Sequence, residues 1–249
     1  MKLHCLMVLF LACMPMEIIA SEFPGGDCDS PASDQDLRHC DFSAAKFHGI
    51  DLSRSLLDGV KMQNADFSNA RLVGASLRKA DLKWADFSGA NLSGADLRKA
   101  DLFHTNLDDG ILDDADLREA NMFGTDINRV RARRARFDAA YMKDVLMEES
   151  DLSGAVFDQA FMLRAVLIGS RFDGAKLRQV TLTGAALEDT SFSGADLGGA
   201  LLNGAQCAGA IFSEANLQDS RFVNARLRGA DFTGALAAPA HLLDMLSTR

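Results

Sequence analysis

The sequence predicts an all-β solenoid shaped as a square prism, in which the chain turns once every five residues. Two observations predict it. Large apolar residues recur with a strict period of five, and each follows a small residue two positions earlier: Leu82, Phe87, Leu92, Leu97, Leu102. Phenylalanine also recurs at a spacing of twenty, which makes four pentapeptides one coil: Phe47, Phe67 and Phe87; Phe137 and Phe157; Phe172, Phe192, Phe212 and Phe232.

Ordinary secondary structure cannot keep a period of five on one side. On an α-helix, five steps of about 100° move the apolar residue by roughly 140°, so large side chains would wind around the whole surface. In a flat strand, an odd spacing places successive large residues on opposite faces. Each pentapeptide therefore forms one wall, with its large central residue and the small residue before it pointing inward.

The repeat runs without a break from Leu37 to Phe232. Of its forty central positions, thirty-eight carry Leu, Phe, Met or Ile, and the exceptions are Ala132 and Cys207. An uninterrupted repeat predicts one elongated body over residues 37–235. At a spacing of about 4.8 Å between coils, roughly ten coils would extend about 48 Å.

Glycine marks the corners of the predicted prism. Sixteen of the twenty glycines lie two positions after a central residue. A tight turn with positive φ favours glycine at that place, which predicts type II turns there. Other repeats carry Asn, Asp, Lys or Arg at this position, and the sequence leaves open whether their turns are of another type.

Residues 1–20 are predicted to be a signal peptide. They combine Lys2 with an apolar run over residues 6–14, too short to span a bilayer, and Ala20 is a small residue suited to cleavage. This pattern predicts an exported protein, periplasmic or secreted, without a stable membrane span. The alternative is a hydrophobic N-terminus on a cytoplasmic protein.

Two terminal segments are predicted to cover the ends of the prism. Residues 21–36 form a loop, and in an exported protein a disulfide between Cys28 and Cys40 would pin this loop over the open end. The alternative is two unpaired cysteines. Residues 236–249 are predicted to form a capping helix after Pro239, with a dimerising helix as the alternative; its apolar side would carry Leu242, Leu243 and Leu246.

Motifs for catalysis are not evident in the sequence. The histidines lack HExxH spacing, no nucleophile signature surrounds the serines, and the glycines follow the turn period rather than a phosphate-binding loop. We therefore predict no catalytic residues, no cofactor and no metal. A net charge of -9 also argues against direct nucleic-acid binding.

The run ADFSGANLSGADLRKADL resembles the A(D/N)LXX consensus of the pentapeptide repeat family, and the resemblance covers nearly all of residues 37–232. It implies a right-handed quadrilateral β-helix. It also implies that the best understood members inhibit or protect type II topoisomerases by resembling DNA in size and charge. The leader and the paired cysteines resemble exported members.

Five aromatic residues project outward from the same wall of the predicted coil, with Leu163 and Leu201 beside them. We call these five the aromatic stripe: Trp84, Phe103, Phe123, Tyr141 and Phe161. Exposed aromatics on a rigid wall predict a contact surface for a partner protein, a second copy of the chain, or a flat sugar face. The alternatives are drift along one wall or coverage by the terminal segments.

A cluster of arginines falls mainly on the wall opposite the stripe and the wall next to it. We call it the basic patch: Arg129, Arg131, Arg133, Arg134 and Arg136. We expect these arginines to pair with acids of neighbouring coils, such as Asp113, Asp114 and Asp151. The alternative is that the patch binds an acidic partner or a phosphate-bearing surface.

Together these features predict a non-enzymatic, exported scaffold that binds a partner protein, or itself, through the aromatic stripe. The alternative is a cytoplasmic inhibitor or protector of a type II topoisomerase that acts by DNA mimicry.

Overall fold

The computed structural model describes residues 23–247 and closes one coil every twenty residues. Parallel bridges join each bridging residue to the residue twenty positions later, from Asp36 with Leu56 to Asn216 with Leu236. The predicted period of twenty is thereby confirmed. The signal peptide expected for residues 1–20 lies outside the described residues.

Four walls repeat in every coil. We number them by the central residues of one coil: first wall, Leu82; second wall, Phe87; third wall, Leu92; fourth wall, Leu97. Each wall contributes an isolated bridge and then a turn, so residues 23–247 contain bridges rather than extended strands. The all-β expectation is thus met by a solenoid of bridges, because a five-residue wall is too short for a continuous strand.

The core is a column of large side chains at the centre of the prism. Every central residue from Leu52 to Leu227 has at most 2% of its surface exposed. The phenylalanine columns stack as the spacing predicts, with ring centroids 4.6 Å apart for Phe137 and Phe157 and 5.2 Å apart for Phe192 and Phe212. Burial of each such side chain contributes on the order of 1.5–3 kcal/mol.

Buried hydroxyl groups replace alanine at some of the small inward positions. The Thr105 hydroxyl donates to the carbonyl oxygen of Leu82 at 2.8 Å, and the Thr125 hydroxyl donates to that of Leu102 at 2.8 Å. Each bond joins one coil to the coil before it, which satisfies a polar group that would otherwise be costly to bury.

All corners between residues 44 and 234 have the same backbone conformation. The residue two positions after each central residue has φ between 51° and 71°, whether it is glycine or not. Trp84 (φ 54°) and Arg134 (φ 57°) adopt it as Gly174 (φ 63°) does. The sequence left open a different turn type at the non-glycine corners, but φ is positive there as it is at the glycine corners. The bridges on both sides of each corner fix its backbone.

The N-terminal loop lies over the first coil. Gly25 bridges to Asp36, and the Gly26 N–H donates to the Asp36 carbonyl at 3.0 Å. A disulfide joins Cys28 to Cys40, whose Cα atoms are 5.6 Å apart. Gly26 packs so closely on Leu37 that a Cβ at this position would collide with it, and Leu37 is fully buried.

Helix α1, Ala240–Ser247, covers the other end. Leu242 is fully buried and lies twenty positions after Phe222, so it continues the central column. The His241 Nε2 accepts a hydrogen bond from the Phe222 N–H at 3.0 Å, replacing the coil that would have followed. Leu243 is 54% exposed, so of the predicted apolar side Leu242 packs on the solenoid while Leu243 faces solvent, and the side chain of Leu246 lies outside the described set.

Within residues 23–247, no helix has the length and apolar character needed to cross a lipid bilayer.

The common corner conformation predicts that Gly174→Ala destabilises the protein. A Cβ at Gly174 would have open space around it, so the change tests backbone strain alone. We expect a loss of about 1 kcal/mol in the free energy of unfolding, measured with denaturant. Gly25→Ala is the matched control because its Cβ also meets nothing and its φ is not positive. Equal losses in the two variants would contradict the strain argument.

Candidate functional site

The aromatic stripe forms a continuous row of contacting rings on the first wall. Neighbouring ring centroids are 5.3 Å apart for Trp84 and Phe103, and 5.4 Å apart for Phe103 and Phe123. They are 6.3 Å apart for Phe123 and Tyr141, and 5.5 Å apart for Tyr141 and Phe161. The coil spacing explains this contact, because residues one coil apart lie about 4.8 Å from each other.

The orientation of the rings decides what the stripe can contact. From Phe103 to Phe161, successive planes lie within 13° of each other, so the inner rings cover one another's faces and turn their rims to solvent. Trp84 stands at 80° to Phe103 and is 53% exposed. A flat sugar needs an uncovered aromatic face, which Phe123 and Tyr141 do not offer; the stripe therefore suits apolar side chains of a protein better than a sugar.

Neighbouring side chains hold the rings in place. The His104 imidazole meets Phe103 edge to face at 4.4 Å and Phe123 at 5.6 Å between centroids. The Lys143 ammonium lies 5.5 Å from the centre of the Phe123 ring, within cation–π distance. Leu163 is partly buried on the same wall. The stripe is thus a supported surface rather than a set of separate side chains.

A group of carboxylates follows the stripe across the corner, on the second wall. We call it the acidic strip: Asp86, Asp126, Glu148 and Glu149. On this wall the Arg129 side chain pairs with Asp108 and Asp109, while no Lys or Arg of residues 23–247 pairs with the acidic strip. Burial and the nearby Asp108 carboxylate raise the pKa of Asp126. The strip gives this side of the stripe an uncompensated negative charge.

The basic patch is neutralised by acids in its surroundings. Each arginine has a carboxylate oxygen within 3.0 Å: Arg129 with Asp109, Arg131 with Asp113, Arg133 with Asp151, Arg134 with Asp114, and Arg136 with Asp138. The guanidinium groups lower the pKa of Asp109 and of Asp114. Such exposed pairs stabilise the fold only slightly, and they leave little positive charge for a partner. Four of the five arginines pair with an acid of a neighbouring coil, whereas Arg136 pairs with Asp138 of its own repeat.

The disulfide brings a histidine beside its sulfur atoms. The His39 Nε2 lies 3.8 Å from the Cys40 Sγ, and one ligand atom from each of Cys28, His39 and Cys40 lies within 4.8 Å of the others. Metal ions bind the thiolate form of cysteine, which a disulfide does not provide. This arrangement therefore fixes the N-terminal loop rather than offering ligands.

Sequence reasoning placed the five stripe residues on one wall, and the structure shows that their rings touch. It did not single out the acidic strip, although Asp86 and Asp126 occupy the same position of the second wall two coils apart, with Asn106 between them. These acids matter because no arginine or lysine of residues 23–247 pairs with them.

A solenoid with a supported row of aromatic rings on one wall belongs to the class of repeat proteins suited to surface binding. The chain is a member of the pentapeptide repeat family. The family model, pentapeptide repeats, matches the chain in eight copies, and the matches cover residues 36–72, 65–102, 100–138, 147–184, 182–219, 190–229 and 210–236. Proteins of this family are generally non-enzymatic binding proteins.

Solved structures of the family are similar to this chain. HetL, a pentapeptide repeat protein involved in heterocyst differentiation regulation in the cyanobacterium Nostoc sp. strain PCC 7120, is 28% identical over 80% of this chain and 87% of its own, with a TM-score of 0.45. A trypsin-treated form of QnrB1, a plasmid-mediated fluoroquinolone resistance protein, is 18% identical over 82% and 97%, with a TM-score of 0.48.

A pentapeptide repeat protein from the thylakoid lumen of Arabidopsis thaliana is 28% identical over 42% of this chain and 66% of its own, with a TM-score of 0.18. No curated protein matches the sequence.

The raised pKa of Asp126 predicts that Asp126→Asn stabilises the protein at neutral pH. A group whose pKa is higher in the folded state stabilises the fold in its protonated form, below its usual value of 3.8. That contribution is lost as the pH rises through the folded pKa. Thermal unfolding should show the variant to be more stable than wild type near pH 7, and the difference should vanish near pH 3.

The matched control is Asp114→Asn, which removes a carboxylate whose pKa is lowered by Arg134. A carboxylate with a lowered pKa stabilises the fold at pH values above its usual pKa, and this stabilisation is lost as the pH falls. The variant should therefore be less stable than wild type near pH 7. Two variants that shift the melting temperature in the same direction would contradict the assignment.

Proposed function

We propose that the protein is a non-enzymatic, exported scaffold that binds a protein partner through the aromatic stripe. The observation that carries the proposal is the unbroken contact of five outward rings on one wall. Aromatic side chains dominate binding energy at protein interfaces, and a rigid wall presents them with little loss of conformational entropy.

The charges beside the stripe favour a partner of a particular kind. The acidic strip flanks the stripe without arginine partners in residues 23–247, whereas the arginines of the basic patch are paired. A partner segment with apolar residues next to lysine or arginine would match both surfaces. A second copy of this chain is the other occupant that the stripe could take.

Export is supported by two features of the chain. Residues 1–20 carry the signal-peptide pattern, and a disulfide joins Cys28 to Cys40. Disulfides persist mainly in oxidising compartments such as the periplasm or the extracellular space. The N-terminal sequence of the mature protein tests this point, because a cleaved leader excludes a cytoplasmic target.

The double variant Phe123→Ser, Tyr141→Ser tests the stripe. We expect it to weaken partner capture by at least about tenfold, because it removes the central rings of the contact surface. If the chain binds a second copy of itself, the dissociation constant of the oligomer should rise by the same factor. The control is Ile211→Ser, which removes an apolar side chain that is 37% exposed on the third wall. The proposal is wrong if capture and mass are unchanged in a double variant whose circular dichroism matches wild type.

A second candidate function is inhibition or protection of a type II topoisomerase by DNA mimicry. The acidic strip and the net charge of -9 favour it. The paired arginines on the third and fourth walls oppose it, since they interrupt the negative surface at mid-length.

A gyrase supercoiling assay tests the second candidate. If the chain acts as a DNA mimic, it should inhibit supercoiling or restore it in the presence of a poison, and raised salt should weaken the effect because charge would drive binding. The variant Glu148→Gln, Glu149→Gln should reduce the effect. An unaffected gyrase at all concentrations of the protein would exclude the candidate.

A further inference from the structure

Three side chains of metal-ligating type meet at the N-terminal end of the solenoid. Cys28 and Cys40 are joined as a disulfide, and their Cα atoms are 5.6 Å apart. The His39 Nε2 lies 3.8 Å from the Cys40 Sγ. One ligand atom of each residue lies within 4.8 Å of the other two, and in residues 23–247 this is the one group of its kind.

Backbone hydrogen bonds hold the N-terminal loop in place independently of the disulfide. The Gly26 N–H donates to the Asp36 carbonyl at 3.0 Å, and the Asp36 N–H donates to the Pro24 carbonyl at 3.0 Å. Cys28 follows only two residues after Gly26, and Cys40 belongs to the regular repeat. The two cysteines therefore stay close together when the bond between their sulfur atoms is opened.

A dithiol reductant would open the disulfide from the Cys28 side. Cys28 is partly exposed, whereas only 6% of the Cys40 surface is exposed. A thiolate of the reductant attacks the Cys28 Sγ, and the electron pair of the broken S–S bond passes to the Cys40 Sγ. The second sulfur of the reductant then displaces Cys28. The reductant leaves as a disulfide, and its two protons end on the two cysteine thiols.

We propose that the reduced loop binds one Zn²⁺ ion through the Sγ atoms of Cys28 and Cys40 and the Nε2 of His39. The oxidised protein has no thiolate to offer, so the site exists only in the reduced form. Zn²⁺ takes thiolate and imidazole ligands in a tetrahedral arrangement, and binding releases the two thiol protons. The ion and two thiolates carry no net charge together, which suits the nearly buried Cys40.

The distances between the ligand atoms fit a zinc site. Zn–S and Zn–N bonds in a tetrahedron place nitrogen and sulfur about 3.6 Å apart, and the His39 Nε2 lies 3.8 Å from the Cys40 Sγ. Two sulfur atoms on one ion lie about 3.8 Å apart. Rotation of the two side chains provides this separation, because their Cα atoms are 5.6 Å apart. Water would take the fourth position, since His39 is exposed.

The charges around the site favour a cation. Asp27 and Asp29 of the N-terminal loop have no Lys or Arg partner within residues 23–247, so they attract a positive ion towards the loop. The Asp36 carboxylate is held by the Arg38 guanidinium at 2.6 Å. Asp36 is therefore not available as a fourth ligand.

Zinc titrations of the full chain in its two redox states test the proposal. Cys5→Ser and Cys13→Ser remove the thiols of residues 1–20, and Cys207 is buried. The chain is reduced with a phosphine, which is removed before the titration. Competition with a chromogenic chelator should show one Zn²⁺ per reduced chain, and the oxidised chain should bind at least about a hundredfold more weakly. Equal affinities in the two states would overturn the proposal.

His39→Ala tests the imidazole ligand. It should weaken zinc binding to the reduced chain by at least about tenfold, because one of three protein ligands is lost. His48→Ala is the matched control: His48 is also exposed, but its Nδ1 contacts the Ser68 Oγ at 2.8 Å on the second wall. It should leave the affinity within about twofold of wild type. An affinity that does not depend on His39 would show binding by loose thiols and overturn the site.

Cobalt reports which atoms bind the ion. Co²⁺ in the reduced chain should show the intense visible bands of tetrahedral coordination together with thiolate charge-transfer absorption. The weak spectrum of octahedral cobalt, without charge transfer, would assign the ion to carboxylates such as Asp27 and Asp29 and overturn the role of the cysteines.

Thermal unfolding gives an independent readout. Reduction should lower the melting temperature because the loop is no longer closed covalently. Saturating Zn²⁺ should raise it again, since the ion binds the folded loop. The His39→Ala variant should lose most of this recovery. A reduced wild-type chain whose melting temperature is unchanged by Zn²⁺ would overturn the proposal.

Discussion

The structure depends on the hydrogen bonds that tie each coil to the next at a separation of about twenty residues. The Leu82 N–H donates to the carbonyl of Asp101 at 2.8 Å, and the Asp101 N–H donates back to the carbonyl of Ala80 at 2.9 Å. The other regular backbone bond closes the corner between consecutive walls, as from the Ala85 N–H to the carbonyl of Leu82 at 3.0 Å, and it does not join one coil to another. Each coil is therefore stable only against its neighbours, and the two ends need the N-terminal loop and helix α1 to take the place of a missing coil.

This constraint arranges the surface as well as the core. Residues about twenty positions apart lie side by side in neighbouring coils. Identical side chains at this interval therefore contact each other, and a charged side chain contacts the residue at the equivalent position one coil away. Stacked rings, arginine–aspartate pairs and the unpaired acidic strip all follow from this rule. The same rule places the uncharged Ala208 between Glu188 and Arg228 in one column.

Much of the fold could be predicted from the sequence because the repeat is strict and no insertion shifts it. The positions of Phe137 and Phe157 predicted their stacking, and those of Trp84 and Tyr141 predicted a common wall. The corners were only partly predictable. Glycine indicates positive φ, but Trp84 and Arg134 adopt it because bridges on both sides leave them no alternative. The backbone preference of glycine predicts positive φ at the glycine corners, and contacts with neighbouring coils impose it at the other corners.

The sequence by itself determined the period, the inward and outward positions, and the wall on which each exposed side chain lies, since these depend only on counting along a regular chain. The tertiary structure alone decided how those side chains meet: that the rings of the stripe cover one another's faces, that Arg136 pairs within its own repeat, that Leu242 is buried while Leu243 is exposed, and that Glu188 keeps an unpaired oxygen. Such contacts depend on rotamers and on neighbours one coil away, which a repeat pattern does not encode.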